Sequence, residues 1–270
     1  MLAPGPGYSI RDDTAVPATW SGLFAVPAID EVADAEFYAS QELGGIHYSP
    51  LSGPEGDLEE GFQYIEMRDG VLLSAMVRFP EPLVYGDGPY PTVIEYSGYS
   101  PSRPEELGAG ILIANALGYA TVGVNMRGTG CSGGVFDLFN RAQQADGYDI
   151  VEGVASQSWA LHNQVGMVGL SYPGISQLYA ASTAPPSLAA IVPLSTIADA
   201  WEMQWPGGIY NKGFTRQWVA ARESQAAAGG TSWVNTRIDG GDEVCTDNMK
   251  LANHNLEFET LLQGLAMRPP

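Results

Sequence analysis

The chain has 270 residues, 45% of them hydrophobic, enough for one large domain or a domain with an appendage. Its 31 acidic and 12 basic residues leave a formal charge of −19, which argues against nucleic acid and anionic membrane as partners, since both need basic patches. With three histidines, two cysteines and no Cys/His cluster at zinc spacing, neither a metal site nor another cofactor is expected.

Residues 1–59 are rich in Pro, Gly, Ala and acids, and read as an irregular leader with one short helix at 29–41. The opening Met1-Leu2-Ala3-Pro4-Gly5-Pro6-Gly7 has neither the basic region nor the apolar core of a signal peptide, and no apolar run in the chain reaches 18 residues. Cytoplasmic and secreted locations both fit. His47, between Ile46 and Tyr48, reads as a structural or surface histidine. Alternation then predicts a strand at 61–67, a turn at Arg68-Asp69-Gly70 and a partner strand at 71–79. A Pro- and Gly-rich loop at 81–91 leads to a short buried strand at 92–96, which empties into Ser97-Gly98-Tyr99-Ser100-Pro101. A helix at 105–117 ends at Gly118. A strand at 120–125 follows, then the glycine-rich loop from Arg127 to Gly134 and a helix at 145–155. Strand 164–170, helix 174–182 and strand 188–194 complete a core expected over 60–199. Strands alternating with helices at this spacing mean a mostly parallel sheet covered on both faces, with the active site at the carboxyl ends of its strands. Residues 200–270 read as a helical cap, with breaks at Pro206-Gly207-Gly208, 228–230 and Gly240-Gly241-Asp242, a final helix at 248–265, and no convincing buried strand.

The most informative stretch is Gly166-Met167-Val168-Gly169-Leu170-Ser171-Tyr172-Pro173-Gly174. A buried strand, a sharp turn and a helix start follow one another, as in the strand-to-helix elbow by which an α/β-hydrolase presents its serine. Pro173 suits a first helical turn, where a missing N–H costs nothing. The following glycine stands three residues after Ser171, so the pattern is G-x-S-x-x-G. Ser171, Tyr99 and the Arg127 loop each follow a strand and therefore share one rim. A serine nucleophile needs oxyanion donors and a base. The Tyr172 amide, next after the serine, and the Tyr99 phenol are the candidate donors.

The base is harder to find. In α/β-hydrolases the acid and the histidine follow the serine on loops after later strands, and no such strands are read here. His254, preceded by Asp239, Asp242 and Asp247, lies in a polar helical stretch, and His162 precedes the elbow strand at the end away from the serine. The triad Asp and His are therefore expected beyond residue 270. The chain taken by itself is expected to be nearly inactive and, with an unpaired sheet edge, prone to associate.

Taken together these residues resemble the cocaine esterase and Xaa-Pro dipeptidyl-peptidase group of α/β-hydrolases, the S15 or CocE/NonD type, over about 68–218. The resemblance rests on Arg68-Asp69-Gly70, on Gly98-Tyr99-Ser100-Pro101, on Asn125-Met126-Arg127-Gly128-Thr129-Gly130-Cys131-Ser132-Gly133-Gly134, on Gln157-Ser158-Trp159 and on the G-x-S-Y-x-G of the elbow. Asn125 stands where that family's loop has aspartate. The resemblance implies Ser171 as nucleophile, Tyr99 and the Tyr172 amide as the oxyanion hole, and Trp205 and Trp218 in the part of the cap that lines the acyl pocket. It implies a small-molecule ester or amide, or an Xaa-Pro peptide, as substrate. A catalytically incomplete fragment or binding module is the alternative. In a secreted protein Cys131 and Cys245 can pair and tie the Arg127 loop to the cap; in the cytosol they stay reduced.

Overall fold

The computed structural model describes residues 57–252 except 137–138, 198, 200–202 and 228, with only the backbone at 251–252, and the backbone of six short strands before residue 48. The chain divides into two units, Met1–Tyr48 and Ser49–Pro270. In the first, β1 (Gly5–Tyr8) pairs antiparallel with β4 (Phe24–Val26), β2 (Arg11–Asp12) with β3 (Thr19–Trp20), and β5 (Glu42–Leu43) with β6 (Ile46–His47). Strands of two to four residues are too short to show alternation, which is why this segment reads as irregular. The helix expected at 29–41 and the side chain of His47 lie outside the described residues.

The second unit is built on a six-stranded sheet in the order β12-β11-β9-β10-β8-β7. Strands β7 (Gly61–Glu66) and β8 (Leu72–Arg78) form the opening hairpin, closed where Met67 N–H donates to Val71 O at 2.8 Å. β8 also pairs antiparallel with β10 (Ala120–Asn125), and β9 (Tyr90–Ser97), β10, β11 (Ala160–Leu170) and β12 (Leu188–Leu194) run parallel. All six residues of β10 are buried, as expected of a central parallel strand covered on both faces. Helix α1 (Pro82–Tyr85) is a single turn in the loop before β9; α2 (Ala109–Ala116), α3 (Arg141–Ala155) and α4 (Tyr172–Ser182) make the crossovers.

Within the core, the starts of α2 and α3 differ from the sequence expectation for visible reasons. α2 begins later than residue 105 because the carbonyls of Arg103, Pro104 and Glu106 are taken by the Arg78 guanidinium. α3 begins at Arg141, four residues early, because Asn140 caps it by accepting from Gln143 N–H at 2.9 Å. β11 begins early too, through an irregularity at His162 and Asn163, whose φ values are 60° and 53°.

α3 carries three carboxylates at three-residue spacing, Asp146, Asp149 and Glu152, and all are buried. Asp149 receives Arg68 from the hairpin turn, Asp146 receives Arg127 from the glycine-rich loop, and Glu152 accepts from Ser187 N–H at 2.8 Å just before β12. One helix stripe thus clamps three loops, while Ile150, Val151 and Val154 pack into the core with Ile94, Val122, Val124 and Met167.

Beyond β12 the described residues form helices: a 3-10 turn at Pro206–Gly208, then α5 (Phe214–Ala226), α6 (Ser232–Asp239) and α7 (Glu243–Ala252). α7 starts five residues before the expected final helix, where Asp242 accepts from Cys245 N–H at 2.9 Å. The rest of that helix and His254 lie outside the described residues. Cys131 and Cys245 are disulfide-bonded, and with Trp233, Val234 and Met249 they make a second buried cluster that fastens α6 and α7 to the Arg127 loop. β12 pairs only with β11 among the described residues. An apolar groove of about 590 Å³ runs along α2, β9, β11 and β12, lined by Ile113, Leu117, Met167 and Val192.

Candidate active site

Ser171 sits between the end of β11 and the first residue of α4, at φ 68° and ψ −117°. A non-glycine residue in that region stores about 1–3 kcal/mol of strain, and the surroundings must hold it there. Ser171 N–H donates to Leu194 O at 2.9 Å, and Ser171 O accepts from Gly174 N–H and Ile175 N–H, both at 2.8 Å. The tightness of the bend excludes side chains at two neighbours. A Cβ on Gly169 would meet Pro173 Cβ at 2.5 Å, and one on Gly174 would meet Leu194 O at 2.3 Å. Although Ser171 occupies the N-cap position, its side chain makes no capping bond. The hydroxyl is left pointing out of the elbow, on a half-buried residue.

Ser171 Oγ lies 3.4 Å from the phenol oxygen of Tyr99, which sits two residues past β9. The elbow and the Tyr99 loop fit closely: a Cβ on Gly98 would come within 2.8 Å of the Tyr172 ring. Tyr99, Tyr172 and Trp218 form an edge-to-face cluster, with Tyr99–Tyr172 and Tyr172–Trp218 centroids each 5.4 Å apart. Trp218 Nε1–H donates to Tyr99 Oη at 2.8 Å. An indole can only donate, so this bond occupies a phenol lone pair and leaves the phenol's own hydrogen for an acceptor at Ser171. It also polarises the phenol in the donating sense. Phe139, at φ 55°, packs its ring 5.1 Å from Tyr172 and stacks at 4.8 Å on Tyr179 of α4. The Tyr172 amide is the first N–H of α4, at the positive end of the helix dipole.

A model of the X-Pro dipeptidyl-peptidase (S15 family) matches residues 69–253, more than half of the chain. The chain belongs to the S15 family. It is 31% identical to the cocaine esterase of Rhodococcus sp. (strain MB1 Bresler) over 195 residues, which are 70% of this chain and 31% of that protein. Among solved structures, a CocE/NonD family hydrolase from Staphylococcus aureus superposes at a TM-score of 0.55 with 21% identity, covering 77% of this chain and 39% of that one. An aminopeptidase from a marine sediment archaeon, Thaumarchaeota archaeon, also gives 0.55 with 19% identity, covering 82% and 41%. The chain therefore spans about a third of the length of the relatives it matches. The fold is that of the CocE/NonD α/β-hydrolases, and the family is one of hydrolases.

In this S15 chain the glycine-rich loop is a buried support for the site. Asn125, in the place of aspartate, uses both ends of its amide. Its Oδ1 accepts from Ser102 N–H at 3.1 Å and from Ser102 Oγ at 2.7 Å, and its Nδ2 donates to Thr129 Oγ1 at 3.1 Å. A carboxylate would serve the first two contacts and not the third. Arg127 bridges Asp146 of α3 and Asp69 of the hairpin turn, and those two carboxylates raise its pKa against the opposing effect of burial.

Of the sequence candidates, Ser171, Tyr99, Tyr172 and Trp218 come together. Trp205 is buried with its indole 5.5 Å from the Tyr210 ring. His162 stands near the start of β11, at the end of the strand away from Ser171. One neighbour of the site was not read from the sequence. Arg222, one helical turn after Trp218 on α5, lays its guanidinium over the Tyr99 ring at 4.7 Å and near Trp218 at 5.8 Å. Its signal was the i, i+4 spacing from Trp218, legible only once α5 is known to cross the rim.

Proposed function

We propose that this chain carries the nucleophile and oxyanion hole of a serine hydrolase acting through an acyl-enzyme, on carboxylic esters or amides or on Xaa-Pro peptides. Ser171 Oγ bonds to the substrate carbonyl carbon, and its proton passes to a base. The carbonyl oxygen becomes the oxyanion, facing Tyr99 Oη–H and the Tyr172 N–H. Collapse breaks the bond to the leaving alcohol or amine, which departs with the proton, and water then cleaves the Ser171 ester. The observation that carries this reading is a serine held at φ 68° with its hydroxyl 3.4 Å from a phenol that already accepts an indole N–H. The base is assigned to a histidine oriented by a carboxylate, outside the described residues and expected past residue 270. The name of the Rhodococcus relative supports the ester branch.

A fluorophosphonate probe tests the assignment. It is expected to label Ser171, identified by peptide mass, in a protein that carries this chain together with the triad histidine, and to leave the Ser171→Ala variant of that protein unlabelled. Equal labelling of both forms would discard Ser171 as the nucleophile.

A further inference from the structure

Arg222 differs from several other arginines among the described residues in what it touches. Arg68, Arg103, Arg127 and Arg237 each pair with carboxylates. Arg222 has neither an ion pair nor a hydrogen bond among the described residues; its contacts are the faces of Tyr99 and Trp218. Its Nε is wholly buried and has no hydrogen-bond partner among the described residues. A guanidinium has five N–H donors in a planar fork suited to a carboxylate, and leaving a buried donor unmet is costly. Burial lowers its pKa, and the groups that oppose this are Tyr99 and Tyr172 rather than any acid. The ring under the guanidinium is the same ring whose hydroxyl lies 3.4 Å from Ser171 Oγ, so cation and nucleophile both contact one phenol. Trp218 and Arg222 are one turn apart on α5, so the helix that polarises Tyr99 also carries the charge.

We infer that Arg222 is a specificity residue which pairs with a carboxylate on the acyl side of the substrate, so that the preferred substrates are half-esters or half-amides of short dicarboxylic acids. This rests on the reading of Ser171 as the acylated residue. It also separates the two substrate branches. The free amine of an Xaa-Pro peptide needs an acidic partner, and the charge beside Tyr99 has the opposite sign. Other carbonyl substrates of similar size lack the anion that would satisfy the fork.

The test uses two pairs of compounds that differ by one carboxylate in place of one methyl group. In the binding arm, calorimetry compares N-phenylsuccinamic acid with N-phenylbutyramide, and neither needs to be hydrolysed. The succinamate is expected to bind about ten- to a hundredfold more tightly, the range of one charge-assisted hydrogen-bonded pair. Arg222→Met is expected to remove the difference and Arg222→Lys to keep part of it. In the kinetic arm, the ratio of kcat/KM for 4-nitrophenyl hemisuccinate over 4-nitrophenyl butyrate is expected to fall by the same factor in Arg222→Met, mainly through KM. Equal binding of the two anilides by the unmodified protein would overturn the inference, whatever the variants do. If the anilides differ as expected but Ser171 is neither labelled nor acylated, the anion site stands and the reading of Ser171 falls. A purely structural cation–π clamp would lower stability in Arg222→Met while leaving both ratios unchanged, and that result too would overturn the inference.

Discussion

Gly174→Ala opposes helix propensity to tertiary packing at the elbow. Gly174 is the third residue of α4, and replacing a helical glycine by alanine gains at most about 1 kcal/mol. The new Cβ would stand 2.3 Å from Leu194 O and 3.1 Å from Leu194 N, roughly 1 Å inside ordinary contact with the nearer atom. Both obstacles are backbone, so no rotamer change relieves them. Overpacking of this kind costs about 1–3 kcal/mol. The same carbonyl accepts the Ser171 N–H at 2.9 Å, so pushing β12 away also weakens a bond worth about 1 kcal/mol. The expected net loss is about 1–3 kcal/mol, or a fall in Tm of about 2–10 °C for a domain of this size. Gly153→Ala is the control. It lies inside α3, and its Cβ would meet nothing within 4 Å, so it is expected to stabilise by about 0.5–1 kcal/mol. Thermal unfolding followed by circular dichroism reads both, and fluorophosphonate labelling of Gly174→Ala reports the elbow. A Gly174→Ala protein with Tm at or above that of the parent would refute the crowding argument.

Tyr99→Phe removes the phenol hydroxyl, keeps the ring, and leaves Trp218 Nε1–H without its acceptor. The expected loss in kcat on 4-nitrophenyl esters is about 10²–10³-fold with little change in KM, and a loss under threefold would remove Tyr99 from the oxyanion hole. Glu95 is buried against the backbone at Gly108, and desolvation pushes its pKa up to about 7, partly opposed by Arg78. The folded state therefore holds a proton that the unfolded chain has released above about pH 4.3. Stability from this group is present below that value and is lost as pH rises through about 7. Urea denaturation from pH 4 to 8 should show the decline and Glu95→Gln should flatten it; identical profiles would remove Glu95 as its source. The Cys131–Cys245 disulfide closes a span of 114 residues, for which chain entropy gives about 5 kcal/mol. Reduction is expected to lower Tm markedly and to release α6 and α7 first, as increased hydrogen exchange at 232–252.

Much of the fold was legible because its signals are local. The run at 120–125 matches β10 residue for residue, since a buried parallel strand is simply a continuous apolar run ended by a turn. The run at 188–194, read in the same way as a buried strand, matches the bounds of β12, but none of its residues is buried, because β12 pairs only with β11 among the described residues. The elbow was legible for a related reason: glycine before the serine and proline after it are demands of the backbone within a few residues. What escaped were boundaries set by distant partners. The Arg78 guanidinium holds the carbonyls that would otherwise have begun α2, and the three acids of α3 resemble a solvated face until Arg68, Arg127 and Ser187 arrive to meet them.

The order of the sheet strands and crossover helices over 61–194, the G-x-S-x-x-G elbow, the choice of Ser171 and Tyr99 as candidates, and the acid-rich balance of charge could all be read from the sequence alone. Each depends on residue type and short-range spacing. Tertiary structure decided the closing of the Cys131–Cys245 pair, the indole bond to the Tyr99 phenol oxygen, and the position of Arg222 over that same ring. Those contacts join residues 114, 119 and 123 positions apart. At such separations the chain's local preferences carry no information about distance, and only the packing of α5, α6 and α7 on the rim of the sheet brings the partners together.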